Sequence, residues 1–577
     1  MPESPTRKNR SVFVLLCGAV FVIAGLAAAY FAFGPRLRAS HPSGPKAAST
    51  TAAPPSLAGL PKEAGRVAWR PWSPELFHDA AAKDRLILLD LTAPWSHWAR
   101  LMELKTYGDE QAARWVGAHV VPLQLDADAR PDLARRYGSA IPTTALLLPS
   151  GELLASGAYI PPEMFVPWAT RVIDAYTRSK GEVLAARDGA RKGAEVRRLY
   201  LLGPGRSRRW DALSAEAKRM MEEGYVRQAL VVVARADGGE RRLPLPAVHR
   251  FLAESALASA WRPEGSEVSA RARRMLSGAA KLEDPVWGGI FRYSRCADWT
   301  CPEREKLLST QAAAIEDGVL AARAGFGAEW LALAGRTADF VEKHMTVASQ
   351  AAAPEAGRYF SALGADVWSE KGWVDGDAYY ALSDAGRRAT ASPAARTEEF
   401  AAPLADLASA YWAAADGLKR PDLEASARAC LDRLQTATDR EGRVRRRLDE
   451  PKGERGLLDD QLSAARAGLA AYLRRREARD LGYVRRTLAY AERSLRDPET
   501  GAMRVRAAGG GPVAGWIEPV DPDATASAAL IYDDLAVATG DSGDARRART
   551  ALDWALARAE AVDPVLLGRT ALRALRP

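Results

Sequence analysis

Most of the chain carries one kind of helical segment five times, at intervals of roughly 60 residues with one longer insertion. Each segment has apolar residues at helical spacing, and most follow a Gly- or Asp-containing turn and another apolar helix. The five segments are 266–280, 329–344, 423–434, 481–495 and 544–559. Strand patterns nearly vanish from about residue 205 onward, so the repeat predicts αα-hairpins. About six hairpins in one domain predict an (α/α)6 toroid over residues 206–577, with an open α-solenoid as the alternative.

A different pattern precedes the repeat, because residues 67–180 alternate helix-like and strand-like segments. The run 86–92 is apolar without alternation, as expected for a central strand that is covered on both faces. The remaining strands are predicted at 120–125, 145–148 and 153–156, and the flanking helices at 74–83 and 162–178. A βαβ unit followed by a hairpin, whose turn is 149–152, predicts a layered α/β domain of thioredoxin-like type.

The turn after the first strand resembles a thioredoxin active-site turn in which both cysteines are missing. In such a turn a Trp precedes a Cys-x-x-Cys pair at a helix N-terminus. Here Trp95 remains, but Ser96 and Ala99 stand at the two sulfur positions, with His97 and Trp98 between them. A serine hydroxyl ionises too weakly to replace a thiolate, and alanine carries no chemistry. We therefore expect no thiol–disulfide exchange at this turn.

Two further residues fit the same domain. Pro142, in an Ile-Pro-Thr sequence, is expected to be cis and to face the turn. Asp90 lies six residues before Ser96, which is the spacing of the buried thioredoxin carboxylate, and without cysteines we interpret it as a hydrogen-bonded core residue. His97 and Trp98 form either the recognition surface of a binding-only domain or the seam against the toroid.

The N-terminus predicts the compartment. Residues 11–33 form an apolar run that is long enough to span a bilayer, and basic residues within 1–10 favour a cytoplasmic N-terminus. A cleaved signal peptide is the alternative, because three alanines at 27–29 could offer a cleavage site. Residues 34–66 are rich in Pro, Ala, Ser and Gly and predict a flexible tether. We expect a single-pass protein of the inner or plasma membrane, with the bulk of the chain periplasmic or otherwise extracytoplasmic and residues 181–205 connecting its two domains.

Charge and composition exclude several classes of partner and cofactor. The 81 basic residues are nearly balanced by 72 acidic ones, and the basic clusters lie close to acids, so we predict no nucleic-acid partner. The six histidines show no metal-ligand spacing, and no phosphate-binding glycine loop is present. The sequence therefore predicts no metal and no cofactor.

The four cysteines do not form a disulfide framework in a chain of this length. Cys17 lies in the apolar N-terminal run, and Cys430 lies on a helical pattern as a small core residue. Cys296 and Cys301 flank a short loop. They either form a local disulfide, if the domain is exported, or remain two free thiols.

Several motifs occur in an order that is specific for one family. Ser96-His-Trp-Ala-Arg-Leu-Met-Glu103, Gly288-Gly-Ile-Phe-Arg-Tyr-Ser294, the segment 299–308, Tyr359-Phe-Ser-Ala-Leu-Gly-Ala-Asp366 and Leu458-Asp-Asp460 carry the resemblance. On these motifs the chain resembles the thioredoxin-fused six-hairpin family of the spermatogenesis-associated protein 20 type. The resemblance implies a glycosidase-like toroid, related in shape to sugar epimerases and glycoside hydrolases, but no defined reaction.

Departures from the family pattern weaken the case for catalysis. Glu303 and Arg304 stand where the family has His and Phe, and Phe291 replaces the His before Arg292. Losing two histidines removes the side chains that are best suited to proton transfer near neutral pH.

The remaining catalytic candidates are carboxylates near the presumed funnel of the toroid. Glycosyl chemistry needs two of them, one as an acid and one as a base or nucleophile. We single out Asp366, Asp460 and Glu305, although Glu305 could equally form a structural ion pair with Lys306.

Aromatic and cationic loop residues are candidates for ligand binding. Trp287 and Trp299 could stack on sugar faces, with Arg292 and Tyr293 supplying polar contacts. Loop packing is the alternative role of these aromatic residues.

The sequence thus favours a membrane-anchored, extracytoplasmic module that binds or scaffolds a glycan or an envelope protein. The alternative is a carbohydrate-active enzyme, epimerase-like or hydrolase-like, that uses carboxylates in the toroid funnel.

Overall fold

The computed structural model describes residues 67–138, 140–236, 242–258, 265–348, 354–369, 372–509, 511–513, 516 and 518–576. The predicted cytoplasmic segment 1–10, membrane segment 11–33 and tether 34–66 lie outside the described residues. Among the helices in the described ranges, none combines the length and the apolar character that a bilayer crossing needs.

The first domain is a four-stranded sheet with helices on both faces. Its strands are β1 (Ile87–Thr92), β2 (Val121–Asp126), β3 (Thr143–Leu147) and β4 (Leu153–Gly157), in the order β2-β1-β3-β4. Its helices are α1 (Pro74–Ala82), α2 (His97–Leu101), α3 (Glu110–His119), α4 (Pro131–Tyr137) and α5 (Pro162–Arg178). Strands β1 and β2 are parallel, whereas β3 is antiparallel to both β1 and β4. The predicted thioredoxin-like arrangement is confirmed.

Strand β1 lies at the centre of this domain, and its side chains alternate between two cores. Ile87, Leu89 and Leu91 pack on the side of α1 and α4. Leu88 packs on the opposite side, against α3 and α5. Both faces are covered, which explains why the strand is continuously apolar in sequence.

Pro142 and Asp90 have the conformation and the burial that the sequence predicts for them. The peptide bond between Ile141 and Pro142 is cis. Asp90 is buried and accepts a hydrogen bond of 3.0 Å from Nε2 of Gln124. Burial raises the pKa of Asp90 to about 7, although the hydrogen bond from Gln124 opposes the shift.

The connection between the domains is helical. Helix α6 (Lys180–Leu202) and helix α7 (Pro204–Asp211) lead from α5 into the second domain. Arg198 on α6 pairs with Asp497 of that domain at 3.2 Å.

In the described part of the second domain, twelve long helices pack as six pairs. The outer helices are α8 (Ala215–Ala236), α10 (Gly265–Ala280), α12 (Glu329–His344), α16 (Pro421–Thr436), α18 (Ala478–Tyr490) and α20 (Ser542–Leu556). The inner helices are α9 (Pro246–Leu257), α11 (Leu308–Arg323), α15 (Ala401–Leu418), α17 (Leu458–Arg475), α19 (Pro522–Thr539) and α21 (Pro564–Ala574). Five outer helices correspond to the five segments that the sequence predicts.

The six inner helices form a closed ring. Each of α9, α11, α15, α17 and α19 packs against the next inner helix, and α21 packs against both α19 and α9. The last inner helix, α21, also pairs with the first outer helix, α8, so the two ends of the domain meet. The toroid is therefore confirmed, and the open solenoid is excluded.

Loops at one end of the ring carry short strands and two short helices. The strands are β5 (Tyr293–Ser294), β6 (Pro302–Glu303), β7 (Lys306–Leu307), β8 (Thr346–Ala348), β9 (Pro354–Tyr359), β10 (Ala362–Leu363), β11 (Val367–Ser369), β12 (Gly372–Val374), β13 (Ala395–Arg396), β14 (Met503–Arg504) and β15 (Val520–Asp521). The short helices are α13 (Gly376–Tyr380) and α14 (Asp384–Ala389). Cys296 and Cys301 form a disulfide just before β6, and Cys430 is buried on α16 as a free thiol.

Candidate functional site at the domain seam

The cysteine-free turn lies against the end of the ring where α11, α15 and α17 begin. Ser96 caps α2, because its hydroxyl accepts a hydrogen bond from the backbone N–H of Ala99 at 3.4 Å. The indole of Trp95 donates to Oδ2 of Asp128 at 2.7 Å, and the guanidinium of Arg292 lies 4.6 Å from the centre of its ring. Ser96, which stands where a thioredoxin has its nucleophilic cysteine, thus acts here as the N-cap of a helix.

His97 and Trp98 are bound by carboxylates of the toroid. The backbone N–H of His97 donates to Oε1 of Glu305 at 3.1 Å, and its Nδ1 lies 2.7 Å from Oδ2 of Asp366. The indole N–H of Trp98 donates to Oε1 of Glu303 at 3.2 Å. Of the two roles that the sequence left open for His97 and Trp98, the structure places both residues in the seam.

The electrostatics of His97 reflect these neighbours. Burial alone would lower the pKa of its imidazole. The hydrogen bond to Asp366, together with the charges of Asp366, Glu303 and Glu305, raises that pKa above its ordinary value. Glu305 is fully buried, and burial beside Glu303 raises its pKa.

Asp128 is the centre of a second set of contacts across the seam. Arg396 donates to its carboxylate at 2.7 Å and also pairs with Asp126. Arg446 donates to the backbone carbonyl of Asp128 at 2.6 and 2.8 Å. Both arginines are almost completely buried, so these contacts fix the two domains against each other.

Asp460 supports this second set from the toroid side. Its Oδ1 accepts from Arg446 at 2.7 Å and from the backbone N–H of Ala402 at 3.1 Å. Burial raises the pKa of Asp460 to about 6, although Arg446 opposes the shift. The structure therefore gives Asp460 a contact in the seam, and its side chain is fully buried.

The predicted ion pair between Glu305 and Lys306 is wrong. Nζ of Lys306 lies 2.8 Å from Asp284 and donates to the backbone carbonyl of Gly288 at 2.7 Å. Neighbouring side chains along an extended segment point to opposite sides, so Glu305 faces the turn while Lys306 enters the toroid core.

The four predicted ligand-binding residues separate into two groups. Arg292 lies beside the turn, and its guanidinium is also 5.4 Å from the ring centre of Tyr293. Trp287 stacks on His344 with ring centres 4.6 Å apart and donates to Asp384. Trp299 lies in the disulfide loop, next to Gly278. The structure does not bring the two tryptophans to one platform.

A cavity of about 990 Å³ follows the axis of the ring. Its charged lining consists of Arg250, Glu254, Arg292, Glu316, Arg323, Asp406, Asp416, Arg466, Arg474, Asp534, Arg569 and Arg573. Ion pairs connect neighbouring helices, as Arg466 shows by pairing with Glu316 at 3.0 Å and with Asp406 at 2.8 Å. Arg292 is the lining residue that also contacts the thioredoxin turn.

Sequence reasoning named Arg292 but missed the other charged residues of the cavity lining, and it missed the arginines of the seam. A signal for the lining exists, because Arg466 interrupts an Ala- and Leu-rich inner helix at a position that an apolar core would not tolerate. No comparable signal marks Arg396 or Arg446, because their partners lie about 270 and 318 residues away.

Comparison with known families supports the resemblance inferred from the motifs. Residues 58–190 match a DsbH-like thioredoxin family model described as "Protein of unknown function, DUF255". Spermatogenesis-associated protein 20 from Rattus norvegicus is 25% identical over 267 residues, which is 43% of this chain and 33% of the relative. "Uncharacterized protein B0495.5" from Caenorhabditis elegans is 24% identical over 264 residues, 42% of this chain and 34% of the relative. The matched region thus spans about a third of the length of these curated relatives.

Solved structures with a similar helical domain are more distant. A D-mannose isomerase superposes with a TM-score of 0.43 and 16% identity, covering 59% of this chain and 87% of the other. The cellobiose 2-epimerase from Spirochaeta thermophila superposes with a TM-score of 0.39 and 17% identity, covering 55% of this chain and 73% of the other. The closed ring of this chain is established by its own helix packing.

Proposed function

We propose that this protein is a membrane-anchored, extracytoplasmic binding module without redox chemistry. In this proposal the thioredoxin-like domain is a fixed cap on the toroid, and the axial cavity holds a glycan. The observation that carries it is the seam, where Trp95, His97 and Trp98 all have partners. The active-site turn of a redox-active thioredoxin must be accessible to its substrate, whereas this turn is hydrogen-bonded to the toroid.

The chemistry of the cavity suits a polyhydroxylated ligand. Seven arginines and five carboxylates line it, together with Trp412, so hydroxyl groups would find both donors and acceptors. A volume of about 990 Å³ lies at the upper end of the range of small-molecule sites, about 300–1,000 Å³. An oligosaccharide is therefore a better match than a single small metabolite.

The disulfide supports the proposed compartment. Bonds such as Cys296–Cys301 persist in oxidising environments, which include the bacterial periplasm. This agrees with a chain that is exported behind its apolar N-terminal segment, which the sequence predicts to be a membrane anchor.

The enzyme alternative receives less support from the same geometry. Glu305 and Asp460 are fully buried at the seam and do not line the cavity. Within the cavity, burial would raise the pKa of Glu316, but the charges of Arg250 and Arg466 lower it to about 2. A glycosidase acid needs the opposite shift, so that it holds a proton near neutral pH.

Filling the cavity tests the proposal. Ala470 lines the cavity, so Ala470→Phe would occupy part of it without removing any charge. On a glycan array, confirmed by calorimetry with the best glycan, we expect the wild type to bind and Ala470→Phe to lose affinity by about tenfold or more. Ala425 is exposed on an outer helix, and Ala425→Phe serves as the matched control that retains binding. Absence of glycan binding, or equal binding by both variants, would reject the axial cavity as a glycan site.

A further inference from the structure

Two aspartates face each other at the open end of a hairpin in the toroid. Strands β11 and β12 pair with Val367 opposite Val374. Asp366 directly precedes the first strand and Asp375 directly follows the second, so their backbones are neighbours. Oδ1 of Asp366 accepts from the backbone N–H of Gly376 at 3.0 Å, and Oδ1 of Asp375 accepts from the backbone N–H of Asp377 at 2.8 Å. These two hydrogen bonds fix the direction of both carboxylates.

His97 completes the group from the other domain. One imidazole nitrogen of His97 and one carboxylate oxygen each from Asp366 and Asp375 all lie within 4.8 Å of one another. Two indoles position the imidazole. The ring of Trp373 stacks on it at 6.4 Å between centres, and the ring of Trp98 meets it edge-on at 5.4 Å. The three polar side chains are therefore held in place before any ligand arrives.

The charge around this group is negative. Among the residues that the structure describes, no Lys or Arg forms an ion pair with Asp366 or Asp375. Glu303 and Glu305 approach His97 from the toroid. Arg295 pairs with Glu303 at 3.2 Å and with Asp377 at 3.4 Å, and Arg304 pairs with Asp377 at 2.8 Å, so neither arginine neutralises Asp366 or Asp375. Oε2 of Glu305 is buried and has no hydrogen-bond partner in the described part of the chain. Buried carboxylates normally have a cationic or hydrogen-bonding partner, and the unpartnered oxygen of Glu305, next to His97, points to a bound cation.

We propose that His97, Asp366 and Asp375 bind a divalent transition-metal ion, with Zn²⁺ as the best match. One imidazole nitrogen and two carboxylate oxygens are a donor set that Zn²⁺ accepts, whereas Mg²⁺ prefers oxygen alone. Three protein ligands leave a fourth position for water. The side chain of His97 is 16% exposed, which leaves a route by which an ion could enter from solvent.

The proposed site explains why histidine spacing gave no metal signal. His97 and Asp366 are 269 residues apart, so no local motif can contain both. The site exists only when the two domains are docked, and a bound ion would join them. This inference is independent of glycan binding, because metal affinity is measured without any glycan.

Calorimetric titration of the metal-stripped full chain with Zn²⁺ tests the site. We expect one saturable site per chain whose affinity falls by about tenfold or more in His97→Gln and in Asp375→Asn. His119→Gln and Asp174→Asn are the matched controls, since they remove an exposed histidine and an exposed carboxylate outside the group. Zn²⁺ should also raise the thermal midpoint of the wild type and of both controls, but not that of the two site variants.

Circular dichroism shows whether each variant folds. If one of the two site variants does not fold, the Zn²⁺ affinity of the other still tests the site. Absence of a saturable Zn²⁺ site in the folded wild type would overturn the proposal. Zn²⁺ binding that both His97→Gln and Asp375→Asn leave unchanged would also overturn it.

Discussion

Arg446 and Asp460 form a buried ion pair, 2.7 Å from guanidinium to carboxylate, and the same guanidinium binds the backbone of Asp128 in the other domain. One side chain therefore satisfies a buried acid of the toroid and a carbonyl of the thioredoxin-like domain. Such a contact resists separation of the domains, because pulling them apart would leave Arg446 with fewer partners.

Removing this arginine should destabilise the protein strongly. Arg446→Met leaves the buried Asp460 without its cation, which typically costs about 3–5 kcal/mol of unfolding free energy. Urea unfolding measures the change. Arg447→Met is the matched control, because Arg447 is about a third exposed and pairs with Asp449, and such surface pairs are worth about 0–1 kcal/mol. Equal effects of the two variants would contradict the role of Arg446 in the seam.

Asp90 should make the protein less stable as pH rises. Burial raises the pKa of its carboxyl to about 7 in the folded state, whereas the unfolded chain has a value near 4. The folded state therefore holds the proton more tightly, and its stability falls between about pH 4 and pH 7 and stays reduced above. Asp90→Asn should raise the free energy of unfolding by up to about 4 kcal/mol at pH 8 and by almost nothing at pH 4.

Chemical denaturation at several pH values checks this prediction. Asp174→Asn is the control, since Asp174 is exposed on α5 and its loss should give no pH-dependent difference. A stabilisation by Asp90→Asn that is equal at pH 4 and pH 8 would argue against a raised pKa.

Restoring the two cysteines should not restore access to the turn. Ser96 is 1% exposed and Ala99 is 3% exposed, and the toroid contacts the turn at the intervening His97 and Trp98. The double variant Ser96→Cys with Ala99→Cys should react with a thiol reagent about 100-fold more slowly than an exposed thiol placed by Ser214→Cys. Absorbance assays on a Cys17→Ser background measure both rates. Rapid reaction of the double variant would mean that the seam opens readily.

The disulfide between Cys296 and Cys301 should stabilise the loop that leads into β6. Replacing both cysteines with serine should cost about 2 kcal/mol, the loop-closure value for such a short ring. Urea unfolding of the wild type with and without a reductant gives an independent measure, and the reduced wild type should match the double variant. A wild type that is insensitive to reduction would contradict the contribution.

The sequence predicted local elements well because their signals are local. The apolar run at β1, the turn before β4 and the apolar pattern of each outer helix all follow from periodicity within about 20 residues. The ion pair considered for Glu305 and Lys306 is absent because the two residues lie on an extended segment. Adjacent side chains on such a segment point to opposite sides, so neighbours in sequence do not meet.

The sequence by itself determined that the turn lacks both sulfurs, that one domain is layered α/β and that the other is a helical repeat. Only the tertiary structure decided that the ring closes, that the turn is held against it and that His97 meets Asp366. Ring closure depends on packing between the first and last helices of the domain, α8 and α21. The meeting of His97 with Asp366 depends on how the two domains dock, and no short-range pattern encodes a contact between residues 269 positions apart.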